Sequence, residues 1–190
     1  LAVAHENYDH IQIWDVDTSQ CIMTLKGQPG FRSVAYSRSG NLLVSGSNWD
    51  GGFCVWEVND GKCVFKVKGG FFRNAVPISS VAFSSDEKHV VCASDRISVW
   101  EIDSKEQIWN KKAEDTIWAS FTIDGKSVVS YGRLGNYVRL WESRTGNLVA
   151  EWPAPHAMGI RSLALSSNGR LLALAGMDRE IKVCDTHTCE

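Results

Sequence analysis

Ile11-Gln12-Ile13-Trp14-Asp15-Val16 decides the fold, because the chain writes it five times. Phe53-Cys54-Val55-Trp56-Glu57-Val58, Ile97-Ser98-Val99-Trp100-Glu101-Ile102, Val138-Arg139-Leu140-Trp141-Glu142-Ser143 and Ile181-Lys182-Val183-Cys184-Asp185-Thr186 share one template: apolar, variable, apolar, Trp, acid. The anchors Trp14, Trp56, Trp100, Trp141 and Cys184 stand 42, 44, 41 and 43 residues apart. A period of about 40–45 residues belongs to a four-stranded blade or to a paired-helix repeat, so the pattern inside each repeat must choose between them.

That pattern is strand throughout. Two short runs rich in Val, Leu and Ala precede each anchor, as in Ser33–Ser37 and Asn41–Ser47, or Ser162–Ser166 and Arg170–Gly176. These are strand lengths, too short for helices. Polar turns separate the two runs: Arg38-Ser39-Gly40-Asn41, Ser85-Asp86-Glu87-Lys88, Ile123-Asp124-Gly125-Lys126 and Ser167-Asn168-Gly169-Arg170. Gly, Asn and Asp supply the positive φ that tight hairpins need. A last run follows each anchor, as in Cys21–Gly27, Cys63–Gly69 and Leu148–Trp152, giving strands a, b, c and d per repeat. Pro29, Pro77, Pro153 and Pro155 all fall between a strand d and the next strand a, where no ladder bond is lost. No capped amphipathic helix is legible, which disfavours paired-helix solenoids.

Composition narrows function by exclusion. Of 190 residues, 44% are hydrophobic and 22% charged, which rules out disordered, collagen-like and membrane-embedded chains. With 20 basic against 22 acidic residues there is no general field for phosphates or an anionic membrane. Residues 31–78 carry six basic against three acidic residues and 79–115 carry five against eight, ordinary local offsets. Strand-like alternation interrupts every apolar run, so no membrane helix is expected and the chain reads as soluble. Six cysteines are too few for a disulfide scaffold, and Cys21 and Cys63, at equivalent places in two repeats, are expected to be small buried hydrophobes in a reducing compartment.

The anchors, the period and the strand count together resemble the WD-repeat beta-propeller family over essentially the whole chain. Trp14-Asp15 matches the name-giving pair, Trp56-Glu57, Trp100-Glu101 and Trp141-Glu142 are conservative variants, and Cys184-Asp185 has lost the Trp. The resemblance implies an all-β propeller of four-stranded antiparallel blades, expected here as an incomplete part of a ring of about seven. The expected divisions are a partial blade at 1–30 (strands b, c, d), complete blades at 31–78, 79–115 and 116–155, and a partial blade at 156–190 (strands a, b, c). The opening at Leu1 without an initiator Met, and the strand missing at each end, predict a fragment whose ring is completed by further sequence.

In the same family a His, a turn Asp, a strand-b Ser or Thr and the Trp satisfy one another in a buried network. The resemblance places His156 and Asp178 in it, but Leu174 stands for the Ser/Thr and Cys184 for the indole. The blade of Trp141 keeps Ser130, and that of Trp56 keeps Ser45 and Asp50, with Gln28 near the His position. These residues are expected to hold the blades together, and Trp100 is expected to be buried between blades.

Strings that mimic enzyme motifs dissolve on inspection. Gly125-Lys126-Ser127 lacks the first Gly of a phosphate loop, since residue 120 is Ser120, and Ser45-Gly46-Ser47 lacks the flanks of a nucleophile turn. Cys184, His187 and Cys189 have no fourth ligand at a zinc spacing, and the five histidines are scattered over different blades. No catalytic, cofactor-binding or metal-ligating residue is therefore assigned, and no cofactor is expected.

What remains is a surface. The d-to-a and b-to-c loops share one end of the strands, and in the WD-repeat family that end docks partners. Tyr8, Arg32, Trp49, Phe71, Phe72, Arg73, Arg161 and Met177 fall there, types enriched at protein interfaces. Of the tryptophans outside the anchors, Trp109 and Trp152 lie in strands d and are expected to pack on neighbouring blades, Trp118 enters strand a, and Trp49 sits in the turn Asn48–Gly52. The expected function is a non-enzymatic scaffold for protein or peptide partners in an intracellular complex, cytoplasmic or nuclear. The alternatives are RNA contact in a ribonucleoprotein through Lys62, Lys66, Lys68, Arg32 and Arg73, and an enzyme whose site lies in missing blades.

Overall fold

The computed structural model describes residues 1–4, 9–27, 30–70, 76–113, 116–132, 137–153, 156, 159–166 and 170–186. These form eighteen strands and no helix, arranged as five antiparallel sheets in chain order. Sheet 1 holds β1 (Ala2–Ala4), β2 (His10–Trp14) and β3 (Cys21–Lys26). Sheet 2 holds β4 (Phe31–Tyr36), β5 (Leu42–Ser47), β6 (Phe53–Glu57) and β7 (Cys63–Val67). Sheet 3 holds β8 (Ser80–Phe83), β9 (His89–Ala93), β10 (Arg96–Glu101) and β11 (Gln107–Lys112), and sheet 4 holds β12 (Thr116–Phe121), β13 (Ser127–Gly132), β14 (Tyr137–Glu142) and β15 (Leu148–Pro153). Sheet 5 holds β16 (Ile160–Leu165), β17 (Leu171–Gly176) and β18 (Ile181–Asp185). Every sheet is a meander, the topology of propeller blades joined by tight hairpins.

The anchor strand explains why the sheets stack. Its side chains alternate between two faces, and both faces are apolar. In β6, Cys54 and Trp56 pack with Ile11, Ile13 and Leu25 of sheet 1, whereas Phe53 and Val55 pack with Val81, Val90 and Cys92 of sheet 3. The same division recurs in β10 and β14, so four apolar seams join five sheets in succession. Sheet 5 shows what the pattern does without a following sheet. Val138 and Leu140 of β14 are 1% and 8% exposed beneath sheet 5, while their counterparts Ile181 and Val183 are 75% and 59% exposed.

Polar turn chemistry fixes the hairpins. At the a-to-b end, Asp86 accepts from the Ser84 hydroxyl at 2.5 Å and the Lys88 N–H at 3.1 Å. Asp124 repeats this with Thr122 at 2.6 Å and Lys126 at 3.1 Å. The c-to-d turns each need one residue at positive φ: Gly61 and Gly146 provide it freely, and Lys105 at φ 60° and Ser19 at φ 53° adopt it with side chains. Gly146 has a second reason, since a Cβ there would collide with the Trp109 ring. Trp109, buried in β11, thus reaches across to sheet 4 and donates its indole N–H to Ser143 O at 2.7 Å.

Expectations for Pro153, Cys21, Cys63 and Trp100 need correction. Pro153 is the last residue of β15, paired with Tyr137, rather than outside the strands. It is tolerated because β15 is an outermost strand whose other side has no ladder. Cys21 is exposed and Cys63 half-buried, since both open outermost strands where one flank meets solvent. Trp14 is half-buried because the face it shares with Gln12 has no preceding sheet against it. Trp100 is also only half-buried.

Candidate functional site

Trp100 shows how a lost hydroxyl changes a blade. Trp56 donates to Ser45 Oγ at 2.9 Å and Trp141 to Ser130 Oγ at 2.8 Å, both buried and both reaching from strand c to strand b. In sheet 3 the register puts Cys92 in the hydroxyl's place, opposite Ser98. Trp100 turns instead to Ser98 Oγ on its own strand, at 3.0 Å. A cleft of about 210 Å³ opens beside it, bordered by Asp50, Arg96, Ser98 and Asn110.

Sheet 5 solves the same problem differently. His156 is 1% exposed, with Nδ1 2.9 Å from Asp178 Oδ2 and Nε2 3.1 Å from the Leu174 carbonyl oxygen. A main-chain carbonyl therefore replaces the missing side-chain hydroxyl, an exchange invisible in residue types. Gly176 makes the pair possible, because a Cβ there would strike both His156 and Asp178. The His156 hydrogen bond holds the Asp178 carboxyl below its ordinary range. A carboxyl depressed in the folded state contributes stability above its unfolded value of about 3.9, which is lost as pH falls through the folded value. Acid titration of thermal stability should show this loss below about pH 4, and Asp178→Asn should flatten that part of the profile. An unchanged slope in the variant would remove the pair from the stability of sheet 5.

The end of the strands that holds the Asp178 turn also carries the exposed interface-type residues. Ser47-Asn48-Trp49-Asp50-Gly51-Gly52 joins β5 to β6 and is tied internally. Ser47 Oγ accepts from the N–H groups of Trp49 at 3.2 Å and Asp50 at 3.3 Å, and Asp50 Oδ1 accepts from Gly52 N–H at 2.9 Å. Trp49 is seated against Gly30, where a Cβ would collide with its ring, yet stays 59% exposed. Arg32 donates to Asn48 Oδ1 at 2.9 Å, which places its guanidinium on the same turn.

Backbone register explains how Arg32 gets there. β4 slips by one residue between Phe31 and Ser33, so Arg32 is the extra residue of a bulge. β16 repeats the slip between Ile160 and Ser162 and ejects Arg161, which is exposed. Bulges re-aim side chains out of the ladder, and here both present an arginine at the start of strand a. Met177, 46% exposed, sits in the β17–β18 turn at this same end. Tyr8, Phe71, Phe72 and Arg73 lie outside the described residues. Both flanks of the latter three nevertheless meet the Trp49 turn: Gly69 abuts Asp50 O, and Gly51 abuts Val76 O.

The basic residues do not gather. Lys62 lies in the c-to-d turn, at the opposite end of the strands from Arg32 and Lys68, and Lys66 Nζ is spent on the Gly27 carbonyl at 2.6 Å. A cleft of about 850 Å³ between sheets 3 and 4 contains His89, Asp86, Glu101 and Asp124. His89 Nδ1 is 3.6 Å from Asp86, whose carboxylate is already engaged in its hairpin. Among the described residues no group of three or more His, Cys, Asp or Glu is placed to hold a metal ion, and no helix is long and apolar enough to cross a membrane. His187 and Cys189 lie outside the described residues.

Comparison with known proteins agrees with the repeat geometry. The family model described as "WD domain, G-beta repeat" matches residues 19–57, 61–101 and 146–185. The chain is 30% identical to Autophagy-related protein 16 of Arabidopsis thaliana over 193 residues, 95% of this chain and 35% of that protein. It is 25% identical to small ribosomal subunit protein RACK1y of Oryza sativa subsp. japonica over 144 residues, 70% of this chain and 40% of the relative. It is 27% identical to THO complex subunit 6 of Arabidopsis thaliana over 94 residues, 49% of this chain and 26% of the relative. The chain thus spans well under half the length of these curated relatives. With three matched repeats, five meandering sheets and tryptophan anchors in four of them, it belongs to the WD-repeat family.

Proposed function

We propose that this chain is a non-enzymatic scaffold that docks protein or peptide segments at the end of the strands carrying the d-to-a and b-to-c loops. The observation that carries the reading is Trp49: a large ring, mostly exposed, on a turn held by four side-chain hydrogen bonds with Arg32 at its edge. A rigid aromatic beside an arginine loses little freedom on binding, which is why such pairs become hot spots. Arg161 and Met177 extend the surface on sheet 5, and Tyr8, Phe71, Phe72 and Arg73 are assigned to the same partner-binding set by sequence position alone. Relatives named as subunits of a ribosome and of the THO complex support membership of a multiprotein assembly, intracellular and either cytoplasmic or nuclear. The divisions 31–78, 79–115 and 116–155 are this chain's repeating units.

Trp49→Ala combined with Arg32→Ala should weaken partner capture by about 2 kcal/mol or more, roughly thirtyfold, with little change in melting temperature. Quantitative mass spectrometry of pull-downs with both chains checks this. Retention of the same partners at unchanged yield sinks the docking face, and a steep salt dependence of captured RNA would favour the ribonucleoprotein reading instead.

A further inference from the structure

The a-to-b hairpins of sheets 2, 3 and 4 are built alike but do not meet their neighbours alike. Gly40, Glu87 and Gly125 occupy the same place, each at positive φ and each donating its N–H to the carbonyl that opens its turn. Glu87 alone of the three has a side chain to use. Its carboxylate accepts from the Ser39 N–H and, at 2.8 Å, from the Ser39 hydroxyl, which latches sheet 3 to sheet 2. At the next seam Gly125 stands for Glu87 and Asp86 for Ser39, so the latch has neither of its parts. The cleft of about 850 Å³ lies at this unlatched seam, between sheets 3 and 4 and at the end of the strands opposite Trp49.

The cleft is held in shape from both sides. Ser85 Oγ donates to the Ile123 carbonyl at 2.7 Å and the Trp109 indole to the Ser143 carbonyl at 2.7 Å, both crossing from sheet 3 to sheet 4. Within it the half-buried His89 ring tilts toward Phe121, 6.5 Å between centroids. Ile108 on one wall and Ile123 on the other are exposed apolar side chains.

Charge on the walls divides into engaged acids and unengaged bases. Asp86 and Asp124 are folded into their own hairpins, each accepting from a hydroxyl and a main-chain N–H. Glu101 accepts from Ser104 Oγ at 2.6 Å, and Glu142 accepts from Thr145. Because Trp141 faces sheet 3, Glu142, the next residue of β14, points to the other face. Lys88, Lys126 and Arg144 are exposed, and their side chains make no ion pair or hydrogen bond among the described residues. None of these three belongs to the basic set weighed for RNA.

We propose that this cleft is a second docking site, which takes an extended peptide segment of a partner with carboxylates on either side of an apolar side chain. The apolar side chain rests on Phe121 and the two isoleucines, and the carboxylates pair with Lys88, Lys126 and Arg144. A phosphate chain is a poorer occupant, since the wall carboxylates, though hydrogen-bonded, keep their charge and repel a dense run of anions. A basic segment would meet the three cations unrelieved. The site stands apart from the Trp49 end, and either can fail without the other.

The test selects binders from a phage library of random dodecapeptides on the intact chain and measures the leading peptide, fluorescently labelled, by anisotropy. Enriched sequences should carry Asp or Glu flanking Leu, Ile or Phe. Lys126→Glu combined with Arg144→Glu should raise the Kd of that peptide at least about tenfold, and Trp49→Ala should leave it unchanged. Ile123→Ser, which alters no charge, should raise it at least about threefold, so the result does not rest on charge reversal alone. All of these residues are exposed, and a thermal melt of each variant checks that the fold is kept. Selection that yields no acidic peptide overturns the proposal, as does an acidic peptide whose binding survives the double reversal or is lost in Trp49→Ala.

Discussion

Trp56→Ala is expected to destabilise the protein by about 3–5 kcal/mol, the range for deleting a large buried ring from a packed interior. The ring is 2% exposed and fills the first seam with Ile11, Ile13, Leu25, Phe31 and Leu43. Its edge lies over Gly27, where even one added carbon would meet it, so no neighbour can collapse into the space without moving the β3 end. The indole is also a hydrogen-bond partner of Ser45, itself fully buried, and its removal takes that bond from the hydroxyl. Trp100→Ala should cost clearly less, because that ring is half-exposed and bonds within its own strand. Urea denaturation of the two variants decides the matter; equal losses would mean that the seam, not the burial of the individual ring, sets the energy.

His156→Ala should cost about 2–4 kcal/mol, because a buried side chain is lost together with its hydrogen bonds to the Leu174 carbonyl and to Asp178. The effect should be local. His156 bridges the Leu174 carbonyl in β17 to Asp178 in the turn before β18, so the loss should appear as faster amide exchange in β16, β17 and β18 while sheets 2 and 3 keep their protection. Gly176→Ala should reproduce it, since the new methyl group displaces the same imidazole and carboxylate. Uniform loss of protection across all five sheets would show instead that sheet 5 does not open separately.

The fold was legible because its signals are local and repeated. A Trp anchor every forty-odd residues and hairpin turns between short apolar runs point together to one architecture. Burial was harder to read. Cys21, Cys63, Trp14 and Trp100 have apolar types, but their exposure depends on which strand is outermost, which sheet lacks a neighbour and which strand-b residue is a hydroxyl. Those are facts about neighbours distant in sequence. The proposed docking end rests on residue types at loop positions, whereas the bulges that aim Arg32 and Arg161 follow from a register slip that leaves no mark in composition. The Leu174 carbonyl serving His156 was equally hidden, because every residue has one.

The alternation of strand c has a thermodynamic consequence. Because each sheet exchanges its apolar side chains only with the sheet before and the sheet after, the molecule behaves as a short linear array whose stability is a sum of unit terms and nearest-neighbour couplings. Among the described residues, sheets 2, 3 and 4 are each coupled on two sides. Damage at any one coupling therefore divides the array there rather than dissolving it as a whole.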